Sequence, residues 1–144
     1  MIRKATKHDK VQIIEMLELF KVESKIEQFQ GMDINPSMNR LLDHILAGRG
    51  VIFIEDGKGF IMAVITSLVW CDEILKMYEL AWYVKPEFRG STVGYRLLKS
   101  YVEYGKQLKK EGRIKLFSMG KMVTSPNIKY EKFGFSKLEE NWIQ

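Results

Sequence analysis

Two stretches in the first third of the chain carry apolar residues at helical spacing. Val11, Ile13, Ile14, Leu17 and Phe20 predict a helix from about Lys7 into the low twenties. Thr6-x-x-Asp9 opens it as a capping box, with Asp where Glu usually stands. Met38, Leu41, Leu42, Ile45 and Leu46 predict a second helix. Asn35-Pro36 starts it, a cap residue followed by proline at the first helical position, and Gly48 ends it. Ile2 to Ala5 reads as a short strand, and Val22 to Asn35 as a polar loop with a short helical turn.

After Gly48 the period changes from 3.6 to that of strands. Val51–Glu55 is a β-rich run, Asp56-Gly57-Lys58-Gly59 a hairpin turn, and Phe60–Trp70 a long apolar strand covered on both faces. Cys71-Asp72-Glu73 turns the chain into a third strand, Ile74–Val84, which Pro86 stops. Val93, Leu97, Leu98, Tyr101, Val102 and Leu108 line a long helix closing at Gly112. Ile114–Met119 is a strand, Ser125-Pro126 opens a short helix through Phe133, and Phe135–Ile143 is a last strand. The order β-α-α-β-β-β-α-β-α-β implies an α/β fold, a mixed sheet with helices on both faces, in one domain over residues 1–144. Ile74–Met119 should form a right-handed parallel crossover.

Composition narrows the chemistry. With 144 residues, 46% hydrophobic and 28% charged, the chain suits one domain with a proper core. One cysteine, Cys71, excludes a disulfide framework, and two histidines leave little for a metal site, so none is expected. The formal net charge of +5 suits an anionic partner, although many soluble domains are mildly basic. No apolar run reaches membrane-spanning length and the N-terminus lacks a signal-peptide core, so a cytoplasmic protein with no membrane partner is expected. A P-loop, a dinucleotide fingerprint, a nucleophile elbow and a basic-aromatic stripe are all absent, so no nucleic-acid partner is expected either.

The densest chemistry lies in Tyr83-Val84-Lys85-Pro86-Glu87-Phe88-Arg89-Gly90-Ser91-Thr92-Val93-Gly94. A strand end, a stop, a loop with two glycines and a helix N-terminus together form an anion cradle of unpaired N–H groups. Gly90 and Gly94 let backbone approach a phosphate, Arg89 adds a charge, and Ser91 and Thr92 add hydroxyls. The plain alternative is a well-capped turn with a solvated arginine.

This segment resembles motif A of the GNAT superfamily of acetyl-CoA-dependent N-acetyltransferases. That pattern is Arg or Gln, two residues, Gly, one residue, then Gly or Ala, after a Val-x-Pro strand end. Val84-Lys85-Pro86, Arg89-Gly90 and Gly94 match, and Thr92 stands where the family has its middle glycine. Ile2-Arg3-Lys4-Ala5-Thr6 with Asp9 is similar to the family's opening, and Tyr130-Glu131-Lys132-Phe133-Gly134-Phe135 to the end of its last helix.

The resemblance implies a mostly antiparallel sheet whose parallel pair splays apart. Acetyl-CoA would enter as co-substrate, with pantetheine along the backbone of Trp82, Tyr83 and Val84. The pyrophosphate would lie on the amides of Arg89, Gly90, Ser91, Thr92, Val93 and Gly94, beside Tyr95. Basic residues on and after the long helix, among them Arg96, Lys99 and Lys106, are candidates for the 3′-phosphate. Tyr130 matches the family's general acid for the departing thiolate; the alternative is a core tyrosine. Glu79, in an otherwise apolar strand, has two readings: a base for the amine, or a partner of a lysine on the neighbouring strand. The family's pantetheine-contacting asparagine falls at Val123, leaving Asn127 or Ser125 as substitutes.

The implied acceptor is an amine on a small molecule, a peptide N-terminus or a lysine. Glu23, Glu27 and Asp33 make the Val22–Asn35 segment partly acidic and favour a cationic one. A homodimer through exposed aromatics such as Trp142 is a further expectation. The rival reading is a non-catalytic CoA-binding or protein-interaction module on the same fold.

Overall fold

In the computed structural model, which describes residues 1–144, Arg3 of the first strand anchors the start of the first helix. Its guanidinium donates to both oxygens of Asp9 at 2.8 and 2.7 Å, while Thr6 and Asp9 complete the capping box. Strand β1 is only Arg3–Lys4, and a 3-10 turn at Lys7–Asp9 leads into α1 (Lys10–Ser24). A second 3-10 turn, Glu27–Phe29, lies in the connection to α2 (Asn35–His44), which Pro36 opens. Strands β2 (Gly50–Glu55), β3 (Gly59–Leu68) and β4 (Cys71–Val84) form a meander, so the tight turn is Val69–Trp70 rather than Cys71–Glu73. Helix α3 (Val93–Lys110) crosses over to β5 (Leu116–Ser118).

The sheet order is β1-β2-β3-β4-β5, antiparallel throughout except for the parallel pair β4–β5. Alternation divides its side chains between two cores. Ile52, Ile54, Phe60 and Met62 face α1 and α2, with Ile13, Met16, Leu42 and Ile45. Val51, Phe53, Ile61 and Ala63 face α3, with Val93, Leu97, Tyr101 and Leu108. On β4 the alternation slips. Met62 pairs with Ala81 and Ala63 with Glu79, so Leu80 is an extra residue, a β-bulge. Before it Met77 packs on the α3 side; after it Ala81 and Tyr83 turn to α1, and Trp82 and Val84 to α3.

Two expected elements do not form. Of the helix from Ser125 to Phe133 only a 3-10 turn remains, Tyr130–Phe133, because its apolar positions fill no more than one helical turn. The strand expected at Phe135–Ile143 is absent and Ser136–Gln144 are exposed. Lys137, Leu138, Glu139 and Glu140 break period-two alternation, so neither face of such a strand would be apolar. Trp142 is correspondingly exposed. No helix is long and apolar enough to cross a membrane.

Arg3 holds the Asp9 carboxyl well below the usual carboxylate range. A depressed carboxyl stabilises the fold above its unfolded value near 3.8, and that contribution is lost as pH falls through the folded value. Asp9→Asn should therefore lower the Tm at pH 7, with the deficit shrinking steadily below pH about 4. A deficit equal at pH 7 and pH 2.5 in thermal melts would contradict the ion-pair account.

Candidate active site in the cleft between two parallel strands

The β4–β5 ladder has three register pairs, Lys76–Leu116, Met77–Phe117 and Tyr78–Ser118. Beyond Tyr78, β4 continues to Val84 with no strand partner on its β5 side, because the ladder ends at Ser118. The Glu79 side chain stands at this fork. It is half-buried, and its carboxylate accepts the Gly120 N–H at 3.2 Å. Burial pushes the carboxyl up to about 7, the Gly120 N–H pulls only partly against it, and no cationic side chain contributes. Glu79 forms no ion pair with any lysine, so the salt-bridge alternative does not hold.

Tyr130 approaches the same fork from the last turn of the chain. It is half-buried, and burial first and the Glu79 carboxylate second raise its hydroxyl above the ordinary tyrosine value. Both groups thus keep a proton more firmly than in water: the Glu79 carboxyl is moved toward neutral pH, and the Tyr130 hydroxyl stays protonated there. Tyr101, fully buried on α3, closes the fork from inside; its hydroxyl donates to the Ser118 carbonyl at 2.7 Å.

At the far end of β4 lies the anion cradle. The N–H groups of Thr92, Gly94 and Tyr95 have no partner within the protein, whereas Val93 donates to the Ser91 hydroxyl at 3.3 Å. Gly90 adopts φ +86°, which a glycine accepts without strain. Thr92 has φ −86°, so no glycine is needed at this departure from the motif, and its hydroxyl accepts from the Arg96 Nε at 3.1 Å. Gly94 faces Trp82 and Val84, whose side-chain atoms would lie 3.7 and 3.6 Å from an added Cβ. The Trp82 indole N–H beside it is buried without a partner. Tyr95 is half-exposed and packs against Phe133 with ring centres 6.1 Å apart.

The charged side chains of the loop turn elsewhere. Arg89 donates to Glu23 on α1 at 2.8 Å and to the Val84 carbonyl at 2.8 Å, over the Tyr83 ring. Tyr83 in turn stacks on Phe20, and burial pushes its hydroxyl up to about 12. Arg96 binds Glu55 at 2.9 Å, which removes it from the phosphate candidates. The cradle therefore offers backbone N–H groups more than free cations. Asn127 is exposed and makes no side-chain hydrogen bond, and Val123 is fully open to solvent. No group of three or more His, Cys, Asp or Glu side chains is arranged to hold a metal.

The family model for the acetyltransferase (GNAT) family matches residues 14–135. The chain belongs to this family. Solved structures agree on the fold. A predicted acetyltransferase from Clostridium acetobutylicum, crystallised with acetyl-CoA, superposes with a TM-score of 0.75 at 19% identity, over 100% of this chain and 94% of that one. A GCN5-related N-acetyltransferase from Ralstonia eutropha JMP134 gives 0.73 at 18%, over 100% and 97%. Glucosamine-6-phosphate N-acetyltransferase from Arabidopsis thaliana gives 0.68 at 19%, over 100% and 96%. No curated protein matches by sequence.

In this GNAT chain the fork gathers Glu79 and Tyr130, and the cradle gathers Gly90 to Tyr95 with Trp82 and Val84. Asn127 joins neither. Sequence reasoning missed Tyr101, Gly120 and Glu23. Tyr101 falls in the apolar stripe of its helix, and nothing in that pattern marks its hydroxyl. Glu23 was visible only as part of an acidic segment.

Two stability measurements test this geometry. Gly90→Ala should cost about 1–2 kcal/mol through its left-handed backbone, while Gly94→Ala should stay within about 1 kcal/mol of wild type. A raised carboxyl favours the fold below its unfolded value near 4.5 and loses that advantage as pH rises through about 7. Glu79→Gln should thus raise the Tm at pH 8 and leave it unchanged at pH 4.5. An equal effect at both pH values would remove Glu79 from the buried fork.

Proposed function

We propose that the protein transfers an acetyl group from acetyl-CoA directly to a primary amine. The carrying observation is the juxtaposition of Glu79 and Tyr130 at the mouth of a strand pair whose free edge leads to the unpaired N–H groups of α3. The residues present fit the co-substrate. The amides of Thr92, Gly94 and Tyr95 suit pyrophosphate oxygens, and the β4 edge at Trp82 and Val84, apart from the Val84 carbonyl that Arg89 takes, suits the amides of pantetheine. When bound, acetyl-CoA supplies the activated acyl thioester.

Glu79 accepts a proton from the acceptor ammonium or from the attacking nitrogen, directly or through water. With a carboxyl near 7 it is ionised in an appreciable fraction at neutral pH and does not discard the proton at once. The C–N bond forms as the C–S bond breaks, and Tyr130, kept protonated by burial, gives its proton to the leaving sulfur. The acceptor class is an amine on a small molecule, a peptide N-terminus or a lysine.

A second reading, a CoA-binding module without turnover, draws on Val123 and the exposed Asn127, where the family's pantetheine-contacting asparagine has no counterpart. Thermal unfolding with acetyl-CoA, ATP and NAD separates specific from generic anion binding. Acetyl-CoA at 100 times its Kd should add about 2.7 kcal/mol, and the other two far less. Thiol release across a panel of amines then distinguishes enzyme from module. In an active preparation Tyr130→Phe should lower kcat by about 10²–10⁴, and Glu79→Gln should flatten the rise of rate with pH around 7. A Tyr130→Phe effect confined to acceptor KM would remove Tyr130 as the acid.

A further inference from the structure

The β4–β5 ladder ends after three pairs although β4 runs on for six more residues, and α3 packs against β5 where it ends. Tyr101 is fully buried and its hydroxyl takes the carbonyl of Ser118, the last residue of β5. Two residues on, the Gly120 N–H meets the Glu79 carboxylate instead of a backbone carbonyl. One helical turn beyond Tyr101, Gly105 lies against Phe117. A Cβ at Gly105 would sit 2.6 Å from that ring, a distance no side chain tolerates. Phe117 meets Tyr101 edge-on at 5.8 Å and Phe135 at 5.5 Å, and Phe135 meets Tyr130 at 6.5 Å.

We infer that Tyr101 and Gly105 are positioning residues that fix β5 and the point at which the chain leaves β4, and thereby place both Glu79 and Tyr130. Tyr101 works through Ser118 and the Gly120 N–H. Gly105 works through a chain of edge-on aromatic contacts, Phe117 to Phe135 to Tyr130. Neither residue touches substrate. With the Tyr101 hydroxyl removed, the end of β5 loses its tether to α3, and the Gly120 N–H two residues on shifts from Glu79. With a methyl at Gly105, Phe117 must move, and Phe135 and Tyr130 with it. The inference rests on the acetyltransferase reading for its catalytic consequence, but its structural half is measurable without substrate.

The titratable groups facing the Glu79 carboxylate are Tyr101 from α3 and Tyr130 from the C-terminal turn, with no cation beside them. The Gly120 amide resonance should therefore titrate near pH 7 in the wild type, and Glu79→Gln should abolish that titration. Tyr101→Phe keeps the ring and its packing. It should displace the Gly120 inflection by at least half a pH unit or abolish it, and lower kcat about tenfold or more. Gly105→Ala should lower kcat similarly, and so should Phe117→Leu alone, which breaks the aromatic chain with Gly105 intact. A Gly120 titration identical in Tyr101→Phe and wild type would overturn the Tyr101 role. A folded Gly105→Ala protein with wild-type kcat would overturn the Gly105 role. Failure of the acetyltransferase reading is distinguishable: the wild type would then neither bind acetyl-CoA nor turn over, while the Gly120 titration would still respond to Tyr101→Phe.

Discussion

A parallel strand pair held at three positions is a weak joint, and here it carries the cleft on which the site depends. Parallel ladders ordinarily continue as long as both strands offer N–H and C=O groups, because an unpaired buried backbone group costs about 1–3 kcal/mol. At the end of this ladder other groups take over. The Tyr101 hydroxyl donates to the carbonyl of the last paired residue, Ser118, the Glu79 carboxylate takes the Gly120 N–H, and β4 runs on toward the α3 N-terminus without a strand partner on that side, its Val84 carbonyl taken by Arg89. The bulge at Leu80 falls at the same level of the sheet, where it reverses which side chains face α3. Without that slip Glu79 and Trp82 would point to opposite faces, and no single cleft would run from the fork to the cradle.

Electrostatics at the two ends of the cleft follow opposite rules. At the fork, burial without a cation holds both Glu79 and Tyr130 in proton-retaining states. The fold bears the cost of a half-buried carboxylate, which is expected of a group kept for chemistry rather than for stability. At the cradle, Glu23 neutralises Arg89 and Glu55 neutralises Arg96, so attraction for an anion falls to the helix terminus itself. Such a site depends on the direction of N–H groups, and so discriminates by shape more than by charge. The Arg89–Glu23 bond also ties the loop to the end of α1, from which the connection to α2 departs.

Much of this was legible from residues alone. Helical periodicity, the Asn35-Pro36 start and the strand run after Gly48 located α1, α2 and the meander, since each rests on local pattern. The loop after Val84 was legible because proline and glycine mark it unmistakably. Two kinds of feature were not. The C-terminal helix and strand are isolated apolar residues without a consistent period, and β5 offers too short an edge to organise them. The fork itself depends on a one-residue slip at Leu80 and on a tyrosine hydroxyl reaching a backbone carbonyl. Both are tertiary events that leave no periodic trace.

Thr92 shows how far a motif can depart from its pattern before the physics changes. Glycine matters where a positive φ or a close backbone approach is required, and in this loop that place is Gly90. At position 92 the backbone is ordinary, so threonine keeps its N–H free while its hydroxyl oxygen accepts from the Arg96 Nε, fixing that side chain between the loop and Glu55. The same helix then reaches β5 through Tyr101 and Gly105. One end of α3 presents the cradle's free N–H groups and its middle packs at the fork, so on the proposed reading the rigid helix sets the distance between pyrophosphate and proton carriers. A thioester carried at a fixed length from its pyrophosphate needs that distance to be constant, and a helix supplies it without relying on the short parallel ladder.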